Sequence, residues 1–305
     1  MPAPIALFAF NRPVHLARTA ASLAANSLAA ESDLWVFCDG PRRAEDEAAV
    51  AEVRKVATAI TGFASVQVVA RQDNAGLAAS VMSGVTRLCA EAGRVIVVED
   101  DLALSPHFLR FINEGLDRYE DHARVMEITG YMFPGDASGL PESFFTRLTS
   151  SWGWGTWQRA WEHMDPDAQA LMGRIKARRL ERRMDLESPS GFLNMLHFQA
   201  TGRLDSWAIR WYASVLLADG LVLRPAMSMV RNTGMDGSGV HCDPTDQFDV
   251  DLARDPVRRF PALLQEDSAG LDVIRAFYAA RHVSFPRRAW RRLRREFAAL
   301  GRRPA

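Results

Sequence analysis

An α/β fold built on a mostly parallel sheet flanked by helices is what this sequence predicts, and three features predict it. Short apolar, β-branched runs at residues 5–10, 34–38, 66–70 and 94–98 have the composition of strands buried on both faces. Helical patterns separate them at residues 14–25, 44–60 and 78–90. The connections are short, and strands alternating with helices in this way form a parallel sheet covered on both sides.

Each run ends in polar residues. The first stops at Asn11-Arg12-Pro13, the second at Asp39-Gly40-Pro41, and the third leads into a turn containing Asn74 and Gly76. The fourth runs straight into Glu99-Asp100-Asp101, followed by Ser105 and Pro106 as a helix cap and first turn before Phe108, Phe111 and Ile112. In a parallel sheet these four ends lie along one edge, where open α/β folds keep their ligands. Asn, Asp, Gly and Pro are also what any turn requires. An arginine and three carboxylates on one edge are less well explained by turns alone. Adjacent carboxylates repel unless water or a cation screens them, and hard oxygen ligands suit Mg2+ or Mn2+, which favour phosphate oxygens as further ligands. A solvated acidic strand end is the competing reading. Arg12 is placed to offset phosphate charge, and Asp39 to accept a hydrogen bond from a nucleobase or ribose. No Gly-x-Gly-x-x-Gly follows the first strand and no Gly-Lys-Ser/Thr loop is present, which favours a phosphate site built on a metal.

The totals set limits. A chain of 305 residues has room for one large α/β domain or two lobes. Lys and Arg number 37 against 37 Asp and Glu, a balance that argues against a dedicated nucleic-acid binder. Three cysteines without metal-ligand spacing point to a reduced, cytoplasmic compartment. The start lacks the pattern of a signal peptide, and no apolar run is long enough to span a bilayer.

From residue 125 the character changes. Residues 127–133 and 143–148 read as short strands. The block Ser151-Trp-Gly-Trp-Gly-Thr-Trp-Gln-Arg-Ala-Trp161 follows; Trp157 and Trp161 sit one helical turn apart, as core residues do, whereas Trp152 and Trp154, with glycine beside them, read as an acceptor-facing surface. Residues 166–184 form a charged helical segment, a solvated face or a cover over the acceptor side. Asp205 or Ser206 caps a helix running from Trp207 to about residue 218, and residues 221–225 are a further strand. Residues 228–241 hold three glycines with Arg231 and His241, a loop able to close over phosphates or to be merely mobile. Residues 281–303 alternate apolar side chains with many arginines, suiting either an anionic membrane surface or a helix docked on the body. The expected organisation is a nucleotide-binding half over residues 1–124, a smaller mixed acceptor-binding half over 125–250 and a basic helical tail over 251–305.

Several stretches together resemble one family. Pro4-Ile-Ala-Leu-Phe-Ala-Phe-Asn-Arg12, Val36-Phe-Cys-Asp-Gly40, Val97-Val-Glu-Asp-Asp-Leu102, Gly153-Trp154, Asp205-Ser-Trp207 and Arg224-Pro225 followed by Gly237-Ser-Gly-Val-His241 occur in the order seen in glycosyltransferases of the A-type fold, specifically bacterial relatives of the N-acetylglucosaminyltransferase I type. The resemblance covers roughly residues 4–241 and implies transfer of a hexosyl or N-acetylhexosaminyl group from a nucleoside diphosphate sugar, with UDP as the nucleotide. It implies inversion at the anomeric carbon, in surface glycan or polysaccharide synthesis. Glu99-Asp100-Asp101 then stands for the family's Asp-x-Asp motif, with Asp101 on manganese or magnesium and Asp100 near the ribose. Arg12 and Asp39 match positions that contact donor phosphate and uracil; with Asn11, Asn74 and Gly76 on the same edge, Glu99, Asp100 and the loop residue Arg231 they are the expected donor-side residues, and His241 of that loop is a further donor or metal ligand. Trp154 and Trp207 face the acceptor, a glycan or lipid-linked glycan. The catalytic base is a carboxylate at the start of the Asp/Trp helix; aligning on Trp207 puts Ser206 in its place and leaves Asp205 as the candidate. A sugar nucleotidyltransferase and a non-catalytic carbohydrate-binding scaffold are the alternatives. The first usually carries a glycine-rich basic loop after the first strand, which Asn11-Arg12-Pro13-Val14 does not supply.

Overall fold

The computed structural model describes residues 1–237 and 245–281. Ten strands and ten helices occur among them. The strands are β1 (Ile5–Ala9), β2 (Asp33–Cys38), β3 (Ser65–Ala70), β4 (Arg94–Glu99), β5 (Leu102–Leu104), β6 (Val125–Thr129), β7 (Ser143–Thr146), β8 (Trp154–Trp157), β9 (Leu221–Pro225) and β10 (Val230–Asn232). The helices are α1 (Pro13–Ala24), α2 (Glu47–Thr58), α3 (Leu77–Ala92), α4 (Phe108–Arg118), α5 (Gln158–Trp161), α6 (Ala168–Ala177), α7 (Glu181–Met184), α8 (Phe192–Ala200), α9 (Trp207–Leu217) and α10 (Ser268–Arg281).

Eight strands form one sheet in the order β3-β2-β1-β4-β8-β6-β9-β7. Four of its seven pairings are parallel, so the α/β class and the mostly parallel sheet expected from the sequence are present. The parallel unit β3-β2-β1-β4 comes from the first hundred residues, and its strands are apolar because helices cover them. Every side chain of β1 is buried, as are Val95 to Val98 of β4. The chain goes outward from β1 to β2 and β3, then returns across β1 to β4, so the crevice beyond the ends of β1 and β4 is a topological switch point.

The sheet does not stop where the two expected halves meet. β8 is inserted antiparallel between β4 and β6, with Ile96 opposite Gly155 and Ile128 opposite Gly155 on the other side. Its four residues are all buried. Gly155 permits this: a Cβ there would lie 2.7 Å from Ile112 Cγ2 of α4. Gly153, at φ +62°, sits as tightly against Val230 and Phe108. The glycines between the tryptophans therefore serve close packing against Ile112, Phe108 and Val230, and not an acceptor-facing surface.

Other elements differ in detail. Residues 44–60 form a 3-10 turn at Ala44–Asp46 before α2. Ser105 lies outside the helix it was expected to cap; His107 occupies the N-cap, and Ser105 Oγ donates to the Ala253 carbonyl at 2.8 Å. The charged segment at 166–184 divides into α6 and α7, broken where Arg179 adopts φ +55°. Residues 251–281 are part of the body and not a tail. Ser143 Oγ donates to the Arg259 carbonyl, Tyr119 Oη to that of Pro261, and α10 buries Leu271 and Ile274. The basic stretch expected to meet a membrane lies, beyond Arg281, outside the described residues, as does His241. No helix among the described residues is long and apolar enough to cross a membrane.

Candidate donor and acceptor cavities

The ends of β1, β2 and β4 open into a cavity of about 220 Å3. Eight of the expected site residues line it together: Asn11, Arg12, Asp39, Asn74, Gly76, Glu99, Asp100 and Asp101. Strand order explains why. β1 and β4 are neighbours in register, Phe8 opposite Glu99, so the residues that follow each strand meet over the switch point. α1 and α3 both begin at this cavity, bringing the positive ends of two helix dipoles to its wall. The stacked rings of Phe8 and Phe37, 5.1 Å between centroids, also line it.

Charge is concentrated at one end. Arg12 Nη2 donates to Asp100 Oδ1 at 2.7 Å and to Asp101 Oδ2 at 2.8 Å, bridging the pair. Burial works against the Arg12 charge, but the two aspartates outweigh it and hold the guanidinium firmly protonated. Burial pushes the Asp100 carboxyl up to about 6, with Arg12 opposing and Asp101 adding to the rise. Glu99 is pushed well above the usual carboxylate range, first by burial and then by Asp101 and Asp100. One guanidinium therefore does not satisfy three carboxylates. The backbone after β10 closes over the pair: Thr233 N and Oγ1 donate to the Asp101 carbonyl at 2.7 and 2.8 Å. At Gly234, a side chain would collide with Asp101 Oδ2 and Arg12 Nη1.

Two buried polar atoms in this cavity have no hydrogen-bond partner among the described residues, Asp101 Oδ1 and Ser80 Oγ. Buried oxygens are rarely left unpaired, and each such group costs about 1–3 kcal/mol. Both residues line this cavity, where a ligand would complete the site. A divalent metal fits Asp101: its free oxygen is a hard ligand, and Mg2+ and Mn2+ are commonly held by one or two carboxylates with substrate phosphates. No group of three or more His, Cys, Asp or Glu side chains able to hold a metal alone occurs among the described residues.

Asp39 has a different task from the one expected. Oδ1 accepts from Gly40 N at 3.0 Å and Ala75 N at 2.9 Å; Oδ2 accepts from Gly76 N at 2.9 Å and Asn74 Nδ2 at 3.1 Å. Two bonds per oxygen use its acceptor capacity, so Asp39 shapes the 74–76 turn and has no lone pair to spare for a base or ribose. Asn11 is similarly engaged, donating to Asp46 Oδ1 at 3.1 Å.

Four expectations are corrected by the geometry. Arg231 forms a forked pair with Asp249, at 2.5 and 2.7 Å, and does not line the cavity. Trp154 and Trp207 are 0% and 3% exposed and stack on each other at 5.3 Å, so neither faces an acceptor. With Trp161 and Trp211 they form the core between β8 and α9. Asp205 has a side chain 68% exposed, pairs with Arg210 at 3.2 Å and lines neither cavity; Ser206 caps α9 instead. Sequence reasoning passed over Ser80, Arg42, Asn232 and Gly234, which do line the small cavity. Arg42 follows the Asp39-Gly40-Pro41 turn and lies 5.8 Å from the Phe10 ring, with no ion pair to it among those formed by the described residues.

Trp152 lines both the small cavity and a larger cleft of about 1780 Å3 beside it, bordered by α8, α9 and α10. Trp152 N donates to Ser150 Oγ at 3.3 Å, and Ser150 is in turn held by Glu127. That carboxylate is fully buried, accepts from Ser150 N at 2.8 Å and from Trp211 Nε1 at 2.7 Å, and is pushed by burial up to about 8. Nearby Arg224 is buried too and donates to Thr146 Oγ1 and the carbonyls of Tyr131 and Leu148. This polar core ties β6, β7 and β9 to the segment carrying Trp152.

No protein-family model matches the chain, and no curated protein does. Among solved structures it is similar to a mannosyltransferase from Pyrobaculum calidifontis in complex with GDP-Man and Mn2+, at 13% identity over 71% of this chain and 74% of that one, with a TM-score of 0.39. It is also similar to glucosyl-3-phosphoglycerate synthase from Mycobacterium tuberculosis in complex with Mn2+, UDP and glucosyl-3-phosphoglycerate, at 13% identity over 67% and 82% of the two chains, TM-score 0.36. TarS of S. aureus matches at 14% identity over 41% of this chain, TM-score 0.27, and only 21% of TarS is covered. At this level of likeness the chemistry of the site rests on its own residues.

Proposed function

We propose that this chain is a glycosyltransferase that binds a nucleoside diphosphate sugar in the small cavity and transfers the sugar to a hydroxyl acceptor. The observation that carries this reading is that two unpartnered buried oxygens, Asp101 Oδ1 and Ser80 Oγ, belong to residues lining one cavity with Arg12, Arg42 and the N-termini of two helices. Cations and helix dipoles suit a diphosphate, and the hydroxyl suits a polar edge of the nucleoside.

Asp101 would hold a divalent metal, which when bound supplies positive charge against the leaving diphosphate. The chain's own groups do the rest. Arg12 and Arg42 offset phosphate charge, and the Asn232 to Met235 segment covers the cavity and limits the water that would otherwise hydrolyse the donor. Asp100, held by Arg12 and by Phe10 N at 3.4 Å, keeps Arg12 in place beside Asp101. The resemblance of the strand-end motifs supports UDP as the nucleotide, a hexosyl or N-acetylhexosaminyl group, and inversion.

The test is release of nucleoside diphosphate from UDP- and GDP-sugars in Mn2+ or Mg2+, with the anomeric configuration of the product read by proton NMR. Metal-dependent release is expected. Cleavage with formation of a nucleoside triphosphate when pyrophosphate is supplied would identify a nucleotidyltransferase, and no turnover with any donor would favour a binding scaffold.

A further inference from the structure

We infer that the larger cleft is the acceptor site and that it takes an uncharged oligosaccharide chain, an inference that rests on the glycosyl-transfer reading above. At about 1780 Å3 the cleft exceeds the roughly 300–1,000 Å3 of pockets built for one small molecule. It shares Trp152 with the smaller cavity, so a chain lying in it would present its end beside the donor.

The lining matches a pyranose chain in both its parts. Sugar rings carry C–H groups on their faces and hydroxyls around their edges. Half-buried aromatic side chains, Trp152, Phe192, Phe248, Phe277 and Tyr278, supply surface for the faces. They are braced against one another, as Trp152 against Phe248 at 5.4 Å and Phe192 against Tyr278 at 5.1 Å, so little ordering is required on binding. Asn194 and Gln247 supply amides for the hydroxyls. On the outer lip α8 carries Met195, 39% exposed and one turn from Phe192, which extends the apolar strip.

Charge decides the class of sugar. Among the described residues, three aspartates, Asp136, Asp185 and Asp272, line the cleft against one arginine, Arg281; Asp272 is paired with Arg275 at 2.9 Å, which leaves Asp136 and Asp185 without a cationic partner among the described residues. Arg281 is already engaged, donating to Gln247 Oε1 at 3.0 Å and lying 4.1 Å over the Phe248 ring. A phosphorylated or carboxylated acceptor would therefore meet net repulsion, and a hydrocarbon would strand the carboxylates without water. An uncharged glycan does neither.

Isothermal titration of the full chain tests this, using gluco-, galacto-, manno- and N-acetylglucosamine oligosaccharides of one to six units and a phosphorylated counterpart of each series. At least one neutral series is expected to bind, with affinity rising tenfold or more from one unit to four and falling at least fivefold on phosphorylation. Phe192→Ala should weaken that binding at least fivefold, and so should Met195→Glu, which sits on the exposed lip where no core packing is lost. Nucleotide affinity in Mn2+ should stay within twofold in both. Binding of a nucleoside diphosphate but of no neutral series, binding without length dependence, or tighter binding of the phosphorylated forms would overturn the inference. Length-dependent saccharide binding with no nucleotide binding would instead remove the glycosyl-transfer reading and leave the cleft assigned to a neutral chain.

Discussion

Asp101 is satisfied on one side only: Oδ2 holds Arg12, while Oδ1 is buried without a partner among the described residues. Ser80 Oγ, on another residue lining the cavity, is likewise buried without a partner among the described residues. A hydroxyl that gains a hydrogen bond only when ligand binds contributes about 0.5–1.5 kcal/mol to binding. Ser80→Ala is thus expected to weaken nucleotide binding about three- to tenfold without lowering the thermal midpoint, and unchanged affinity by calorimetry would exclude contact with the nucleotide. Arg12 has a structural share in the apo site because, among the described residues, it alone bridges the aspartates. Removing one partner of such a partly buried network costs about 3 kcal/mol. Arg12→Ala should therefore melt several degrees below the wild type in EDTA and recover part of that loss in millimolar Mn2+. No recovery would mean that the aspartates do not take up the metal.

At the scale of single elements, β8 and β6 make the clearest predictions. β8 is a core strand whose Trp154 stacks on Trp207 of α9, and cutting a fully buried tryptophan to alanine costs about 3–5 kcal/mol. Trp154→Ala should show that loss in urea unfolding; a stable variant with impaired acceptor binding would return Trp154 to the surface role read from the sequence. β6 carries Glu127, whose carboxyl is raised from 4.5 to about 8 by burial. A carboxyl raised in the folded state favours folding at low pH, where both states are protonated, and that contribution is lost as pH rises through about 8. The full loss is on the order of 5 kcal/mol at most. Stability of the wild type should fall between pH 5 and 8.5 by more than that of Glu127→Gln, measured by urea titration; parallel slopes would assign the pH dependence elsewhere.

The same elements show what was legible in the sequence. β1 to β4 were readable because strands buried on both faces are uniformly apolar and their polar ends must fall on one edge. That pattern alone put Asn11, Arg12, Asp39, Asn74, Gly76, Glu99, Asp100 and Asp101 on one edge, where they line one cavity. The tryptophan block misled because tryptophans spaced two to four residues apart suit a helix, a strand or a ligand surface equally, and only the insertion of β8 between β4 and β6 decides among them. Asp39 misled for another reason: an aspartate after a strand looks available, yet its four partners come from the 39–40 and 74–76 turns. Ser80 was invisible because a serine in the first turn of a helix carries no signal of facing a cavity.

For the whole molecule, one sheet runs through both expected halves, joined by the pairing of β4 with β8 and not by a linker. Glu127 holds the segment that bears Trp152, the residue common to the two spaces. The account stands or falls on whether the small cavity grips a diphosphate with help from Asp101. Calorimetric titration of UDP and GDP into the wild type and Asp101→Asn, each in Mn2+ and in EDTA, measures this directly. The prediction is wild-type binding to at least one of the two that weakens about a hundredfold or more in EDTA, with the variant weak in both. Equal affinity with and without metal, or an Asp101→Asn protein that binds as the wild type does, would contradict it.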